Sequence, residues 1–555
     1  MMSAFPSTSH PRRATGCRGR CPTITAMGVS MALLSLTACG QDSEPSQPPV
    51  GPPAVSLHLA ALEGDLAAVQ QHIAAGTDLD QADAYGGTPL SLAVTFGHAD
   101  VARALMDAGA DLDLADGNGS APLHIAAFFG RVDIATDLLA RGAKRRLRNA
   151  SGATAYDIVA VPFAFDKATY DEVLAQLAPL GLVLDYQQIE ASRPVLANLL
   201  RAQPEELATV TYAPVARDDG WSVSSPAAQG LDPTLVAELF VDAPAVEKLL
   251  GLLVVQNGQL VAEGYYHGGA IDRKELLQSV TKSVTSALVG IALDRGCLSS
   301  VDQPVLSYFP ELASGITDAR KGAVTVRHLL QMRGGFPWEE TDPAFWQGIL
   351  DGHLVRLIAD LPLVADPGTA FNYSNGSSHW LGVITTRACD TDLLSFGQQY
   401  LFGPLGIEPG AWLKDADGYY IGMAELHLAA RDMARFGLLY SRGGVYGGQQ
   451  IVPATWVAES LQSHSTDAWI ADPPQTYAGR YFQKLGYGYQ WWSADIGDKR
   501  IKFAWGHGGQ LIVLYEPLDI IVVALSEPFY GQHDDVAWRH EQASLNLVGK
   551  FIQSL

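Results

Sequence analysis

Glycines recur at an interval of 33 residues near the start of this 555-residue chain. Gly64, Gly97 and Gly130 form one series, Gly76, Gly109 and Gly142 a second, and Gly86, Gly119 and Gly152 a third. Between them, Thr88-Pro89-Leu90-Ser91-Leu92-Ala93 returns as Ala121-Pro122-Leu123-His124-Ile125-Ala126. A fixed period of this length constrains residues 56–160 to an elongated stack, because each unit is a helical hairpin that cannot bury its apolar face alone. We read three units plus a closing half-unit at Ala153-Thr154-Ala155-Tyr156-Asp157-Ile158, together a separable all-α solenoid. His58 and His124 sit at equivalent places and read as structural hydrogen-bonders. Arg141, Lys144, Arg145, Arg146 and Arg148 form a basic cluster that reads as a solvated cap face in preference to a binding patch.

The remainder divides by composition. Residues 161–219 look partly helical, from Tyr170 to Leu184 and again from Val195 to Leu207, and read as a connector. Residues 220–555 are long enough for one large core. Within them three short segments stand out: Ser279-Val280-Thr281-Lys282, Tyr373-Ser374-Asn375 and His507-Gly508-Gly509. Apolar residues at Val280, Val284, Leu288 and Ile291 give a helical spacing, with Gly296 as the stop. Ser279 therefore opens a helix and Lys282 lies one turn along the same face. A serine hydroxyl needs a neighbouring base, and a lysine serves only where burial or a cationic neighbour lowers its pKa. An ordinary amphipathic helix with a solvated lysine would show the same spacing. Tyr373 follows Asp366-Pro367-Gly368 and falls on a loop. Leu252–Gln256 and Gln259–Glu263 flank Asn257-Gly258, and Gln510–Tyr515 and Ile520–Leu525 flank a four-residue turn; both read as β-hairpins. The second begins directly after His507-Gly508-Gly509, so that segment leads into a strand.

The repeat block has the period of ankyrin repeats and nearly their T-P-L-H-x-A signature. From about 220 to 550 the chain resembles the serine β-lactamase-related hydrolases, which include class C β-lactamases, D-alanyl-D-alanine carboxypeptidases, certain esterases and 6-aminohexanoate-dimer hydrolases. The resemblance extends through Arg327-His328-Leu329-Leu330-Gln331-Met332, Phe371-Asn372-Tyr373-Ser374-Asn375, Ala430-Arg431-Asp432-Met433-Ala434-Arg435-Phe436-Gly437 and Gly506-His507-Gly508-Gly509-Gln510. It implies an α+β domain of β-lactamase/transpeptidase type, with an antiparallel sheet flanked by helices plus an all-helical region. It also implies Ser279 as the acylated nucleophile, Lys282 as its proton partner and Tyr373 as a second acid/base. Asn375 and His507 would contact substrate beside Gly509. The N–H groups of Ser279 and Gln510 would hold the oxyanion. Two departures shift the expected chemistry from β-lactam to ester or amide. His507 stands where β-lactamases carry lysine, and Arg333-Gly334-Gly335 replaces a usual Thr-Ser-Gly.

The first 38 residues read as a processing segment: four arginines, a short apolar run from Met27 to Ala38, then Cys39. Leu36-Thr37-Ala38-Cys39 resembles a lipoprotein cleavage box, which would make Cys39 a lipidated first residue; a plain signal peptide is the alternative. Gly40 after it favours the outer membrane, with the domains in the periplasm. Residues 39–55 are Pro- and Ser-rich and read as a tether. Losing the leader would move the formal charge from −22 to −26, which makes the mature protein a poor candidate for binding nucleic acid or anionic membrane surfaces. No metal-ligand cluster or cofactor motif is present. Cys297 and Cys389 could pair. The leading expectation is a serine hydrolase of a small ester, amide or peptide-like substrate, with a protein partner possible on the repeats. The competitors are a catalytically weak ankyrin scaffold lipoprotein and a cell-wall D,D-carboxypeptidase or β-lactamase. Loops 336–350 and 463–482 would shape the pocket, with Glu339 and Glu340 at a solvated loop edge.

Overall fold

The computed structural model of the protein describes residues 51–340, 342–351, 353–466, 468, 478–528 and 535–555. The leader, Cys39, most of the tether and part of loop 463–482 lie outside the described residues.

The solenoid is built from paired short helices: α1 (Leu57–Glu63) with α2 (Leu66–Ala74), α3 (Pro89–Phe96) with α4 (Ala99–Asp107), and α5 (Pro122–Phe128) with α6 (Val132–Ala140). A closing helix, α7 (Ala155–Ala160), follows. The nine periodic glycines all have φ between +65° and +95°, so the period records the points where each hairpin leaves the right-handed region. Thr88 and Thr154 cap α3 and α7 through their side chains, each within a capping box. His124 holds the carbonyls of Leu147 and Ala153 at 3.0 and 3.1 Å, and His58 that of Gln81 at 2.8 Å, as structural hydrogen-bonders should.

Two connector helices start and end differently from their sequence reading: α8 spans Phe163–Leu177 and α9 Tyr186–Leu200. They prolong the stack. Tyr170 Oη donates to the Phe128 carbonyl at 2.6 Å, and Leu182, Leu196 and Leu200 complete the solenoid's own core. Buried Arg193 joins Asp166 at 2.8 Å and the carbonyl of Val161.

The catalytic domain centres on seven antiparallel strands: β1 (Leu249–Gln256), β2 (Gln259–Tyr265), β3 (Gln483–Tyr487), β4 (Trp492–Ile496), β5 (Lys499–Gly506), β6 (Gln510–Tyr515) and β7 (Ile520–Ser526). Their order is β2-β1-β7-β6-β5-β4-β3. Both hairpins read from the sequence are present, with Asn257 and Gly258 at φ +52° and +76°. β1 and β7 are buried along their whole length because both faces are covered, and all but their last residues, Gln256 and Ser526, are apolar or glycine. Leu253, Val255, Ile521 and Val523 face the helix Val280–Asp294 and the helical region; Leu252, Val254, Val522 and Ala524 face the C-terminal helix Asp535–Ser554. The period-2 alternation thus makes two cores from one sheet.

Residues 51–555 form one compact unit. Buried Tyr481 donates to Asp157 at 2.7 Å, Arg480 pairs with Asp166 at 2.6 Å, and Asn546 Nδ2 reaches the Gly152 carbonyl at 3.2 Å. A methyl group on Gly152 would lie 2.6 Å from the Ala543 nitrogen, so the last repeat glycine touches the C-terminal helix backbone. The solenoid is therefore docked on the catalytic domain, which its periodicity alone does not convey. The basic cluster is only in part a solvated face: Arg141 and Lys144 are exposed, but Arg146 pairs with Asp242 at 2.9 Å and with Glu206 at 2.8 Å, inside this seam.

Candidate active site

Ser279 is the N-cap of the helix Val280–Asp294, with φ −69° and ψ −7°. The turn that presents it is held by bonds from Val280 N to Leu277 O and from Thr281 N to Gln278 O, with Gln278 at φ +48°. Gly506, the last residue of β5, makes this close approach possible. A Cβ there would sit 2.3 Å from the Leu277 carbonyl and 3.1 Å from the Ser279 nitrogen, which no side chain tolerates. The end of β5 and the start of β6 are thereby brought against Ser279, the candidate nucleophile, where the sequence reading expects the oxyanion donors.

Lys282 is buried, and its Nζ lies 2.6 Å from Ser279 Oγ, 2.8 Å from Asn375 Oδ1 and 3.0 Å from the Met423 carbonyl. Burial lowers its pKa to about 8, against the opposing pull of Glu340 and Glu339. Such a lysine is partly neutral at ordinary pH and can accept a proton from the serine. Tyr373 is on the loop before the helix Asn375–Cys389 and lines the same pocket as Ser279, with the Lys282 amine nitrogen 5.0 Å from its ring centroid. Burial, reinforced by Glu340, raises the phenol's pKa well above its ordinary value, so it stays protonated and can donate. It stacks on Trp492 at 5.5 Å.

Not every expected residue faces the pocket, which is lined by Ser279, Tyr373, Glu340, His507, Glu541 and four tryptophans: 338, 492, 505 and 538. Asn375 lies behind it, its Oδ1 toward Lys282 and its Nδ2 donating to Glu340 at 2.7 Å, so it orients the lysine. Gly509 is not among the residues lining the pocket; its φ is +92° and a Cβ there would strike the Ser544 hydroxyl at 2.5 Å, so the position admits no side chain. The Gln510 side chain is fully buried and locks the Ser526 backbone, leaving only its N–H for any role in the site.

Three acidic groups complete the site. Glu339 is not on a solvated loop edge: it is 1 % exposed and accepts from Ser374 Oγ at 2.7 Å and Asn375 N at 2.8 Å. Burial raises its pKa to about 7. Glu340 faces the pocket. Glu541, on the C-terminal helix, lies 2.8 Å from His507 Nδ1 and accepts the Gly508 N–H at 2.8 Å. Sequence reasoning misses Glu541, since nothing in its local pattern marks it; only the packing of that helix on the sheet brings it to His507.

Residues 243–546 match the β-lactamase family and residues 57–149 match three copies of the ankyrin repeat. A 6-aminohexanoate-dimer hydrolase of Paenarthrobacter ureafaciens is 30% identical over 311 residues, covering 53% of this chain and 76% of that protein. A monacolin J acid methylbutanoyltransferase of Aspergillus terreus is 29% identical over 156 residues, 25% of this chain and 37% of that one. Among solved structures, a penicillin-binding protein homologue from Pyrococcus abyssi aligns with 20% identity and a TM-score of 0.43, over 55% of this chain and 76% of that chain. With its antiparallel sheet, its flanking helices and a family match over more than half its length, the chain belongs to the β-lactamase family of serine hydrolases and acyltransferases and carries ankyrin repeats ahead of that domain.

Proposed function

We propose that this protein cleaves an ester or amide through an acyl-enzyme on Ser279, with Lys282 and Tyr373 moving the protons. The observation that carries the reading is the buried Lys282 amine 2.6 Å from Ser279 Oγ with its pKa lowered to about 8. Neutral Lys282 takes the hydroxyl proton as Oγ bonds to the carbonyl carbon, and the carbonyl electrons move onto oxygen. The N–H groups of Ser279 and Gln510 receive that oxyanion. Tyr373 gives its proton to the departing alcohol or amine and recovers one from Lys282 as the acyl-enzyme forms. Water then attacks by the reverse relay. Removing one oxyanion donor of this kind costs about 10²–10³ in rate.

The pocket favours a neutral or cationic group over a carboxylate. Among the described residues its lining holds two carboxylates and no lysine or arginine, and its tryptophans offer faces on which apolar chains or cations rest. This supports an esterase or amidase over a β-lactamase or D,D-carboxypeptidase. The names of the relatives, an amide-dimer hydrolase and an acyltransferase, point the same way. An acyl group is the common element.

The pH profile tests the mechanism. The rate constant kcat/KM for a p-nitrophenyl ester should rise toward a plateau as pH increases through about 8, because only neutral Lys282 accepts the proton. Glu340 raises the lysine's pKa, so Glu340→Gln should move the ascending limb to lower pH. A limb that stays in place, or moves up, would rule out Lys282 as the titrating base. Efficient penicillin turnover by the wild type would overturn the substrate preference.

We further propose that Cys39 is lipidated and tethers the enzyme to the bacterial envelope, outer membrane favoured, with the repeats free to meet a protein partner. Expressed with its leader, the protein should fractionate with membranes, and Cys39→Ser should release it or leave it unprocessed. Soluble wild type with no acylated N-terminal peptide by mass spectrometry would defeat this.

A further inference from the structure

A cleft of about 830 Å³ lies in the seam between the last repeat and the catalytic domain. Lys144, Arg145, Arg146 and Arg148 wall it from the repeat side, and Arg539 and His540 from the C-terminal helix; among the described residues, Glu206 and Glu247 are the carboxylates in its lining. Five permanent cations against two acids is an unusual local balance in a chain of net charge −22. Acids behind the wall account for part of it. Lys144 pairs with Asp113 at 3.3 Å, Arg146 with Asp242 at 2.9 Å, Arg148 with Asp157 at 3.6 Å, and His540 with Glu247 at 3.7 Å.

Arg145 and Arg539 remain poorly compensated. Arg145 reaches Glu206 only at 3.4 Å and shares it with Arg146. Arg539 has no carboxylate within ion-pair distance among the described residues. Among the described residues, Nε of Arg145, Arg148 and Arg539 and Nη2 of Arg146 have no acceptor, but each of these atoms is buried, so an anion in the cleft would meet the other guanidinium N–H groups.

We propose that this cleft binds a small multivalent oxyanion, phosphate- or carboxylate-bearing, held between Arg145 of the repeats and Arg539 of the catalytic domain. Planar guanidinium forks suit such oxygens, and the volume is that of a small-molecule site. The site also has a mechanical route to the chemistry. Arg539, His540 and Ala543 of the helix Asp535–Ser554 face the cleft, while Trp538 and Glu541 of the same two turns face the catalytic pocket. Glu541 holds His507 and the Gly508 N–H, so an anion that draws this stretch of helix toward the repeats acts on the site's basic residue.

The test uses the full chain titrated with pyrophosphate and with citrate, against sodium chloride at matched ionic strength. Calorimetry should give saturable binding of at least one of the two anions and not of chloride, and the melting temperature should rise with occupancy. Arg539→Gln and Arg145→Gln should each weaken binding about tenfold or more while leaving basal ester turnover unchanged. Turnover of wild type should change with the same half-saturation as binding. Absence of saturable binding, or binding equal in wild type and both variants, would overturn the proposal. Binding without any change in turnover would overturn the coupling to the site. Vesicles containing phosphatidylglycerol separate the two sources of phosphate: binding to them but to neither soluble anion would overturn the small-molecule assignment.

Discussion

Ser279→Ala should abolish covalent labelling by a fluorophosphonate and reduce ester turnover to background, since the hydroxyl is the attacking group in the proposed mechanism. Lys282→Met should retain the nucleophile yet lower turnover by about 10²–10⁴, the usual cost of losing a positioned general base. Methionine is the informative replacement because it fills most of the buried stem volume. The change still strands the Asn375 amide oxygen and the Met423 carbonyl, which now accept from the lysine. That costs about 1–3 kcal/mol per unsatisfied group, offset in part by no longer burying an amine. A near-UV circular dichroism spectrum like that of wild type would show that the lost rate is chemical. Labelling that persists in Ser279→Ala, or turnover within tenfold of wild type in Lys282→Met, would remove these residues from the mechanism.

Deletion of residues 40–160 should leave a chain that does not fold to a soluble enzyme, contrary to the separability that the repeat period alone suggests. The deletion uncovers Leu182, Leu196 and Leu200, which complete the solenoid core, and strips Tyr481 of the Asp157 carboxylate that accepts its hydroxyl. Exposing three large apolar side chains costs roughly 1.5–3 kcal/mol each, and an orphaned buried hydroxyl about 1–3 more. The sum approaches the total stability of an ordinary domain, about 5–15 kcal/mol. A deletion protein that melts cooperatively within a few degrees of wild type and still turns over ester would show that the seam contributes little.

Much of this architecture is legible in local sequence. The glycine period encodes positive φ at repeated places, and Asn257-Gly258 encodes a turn that few other pairs allow, so neighbouring residues suffice to place both. Ser279 and Lys282 are legible because three residues of helix decide their relation. Glu541 is not, since its place beside His507 depends on a helix folding back over a sheet that begins nearly 300 residues earlier. Glu339 misleads for a similar reason. On a linear reading Trp338-Glu339-Glu340-Thr341 is a charged loop edge, and only the fold closes the Ser374 and Asn375 donors around the first carboxylate. Asn375 shows the converse: its motif position suggests contact with substrate, yet its amide oxygen accepts from Lys282.

The strand order has a bearing on how the protein comes into being. β1 pairs with β7, Leu252 lying opposite Ala524, so the middle of the sheet joins segments from opposite ends of the domain. Closing so long a loop is slow, and the sheet cannot close until nearly the whole domain has been synthesised. The helix that supplies Trp538 and Glu541 comes later still. The segment carrying Ser279 and Lys282 is therefore made well before His507 can have its carboxylate, and activity should switch on only as the final helix docks.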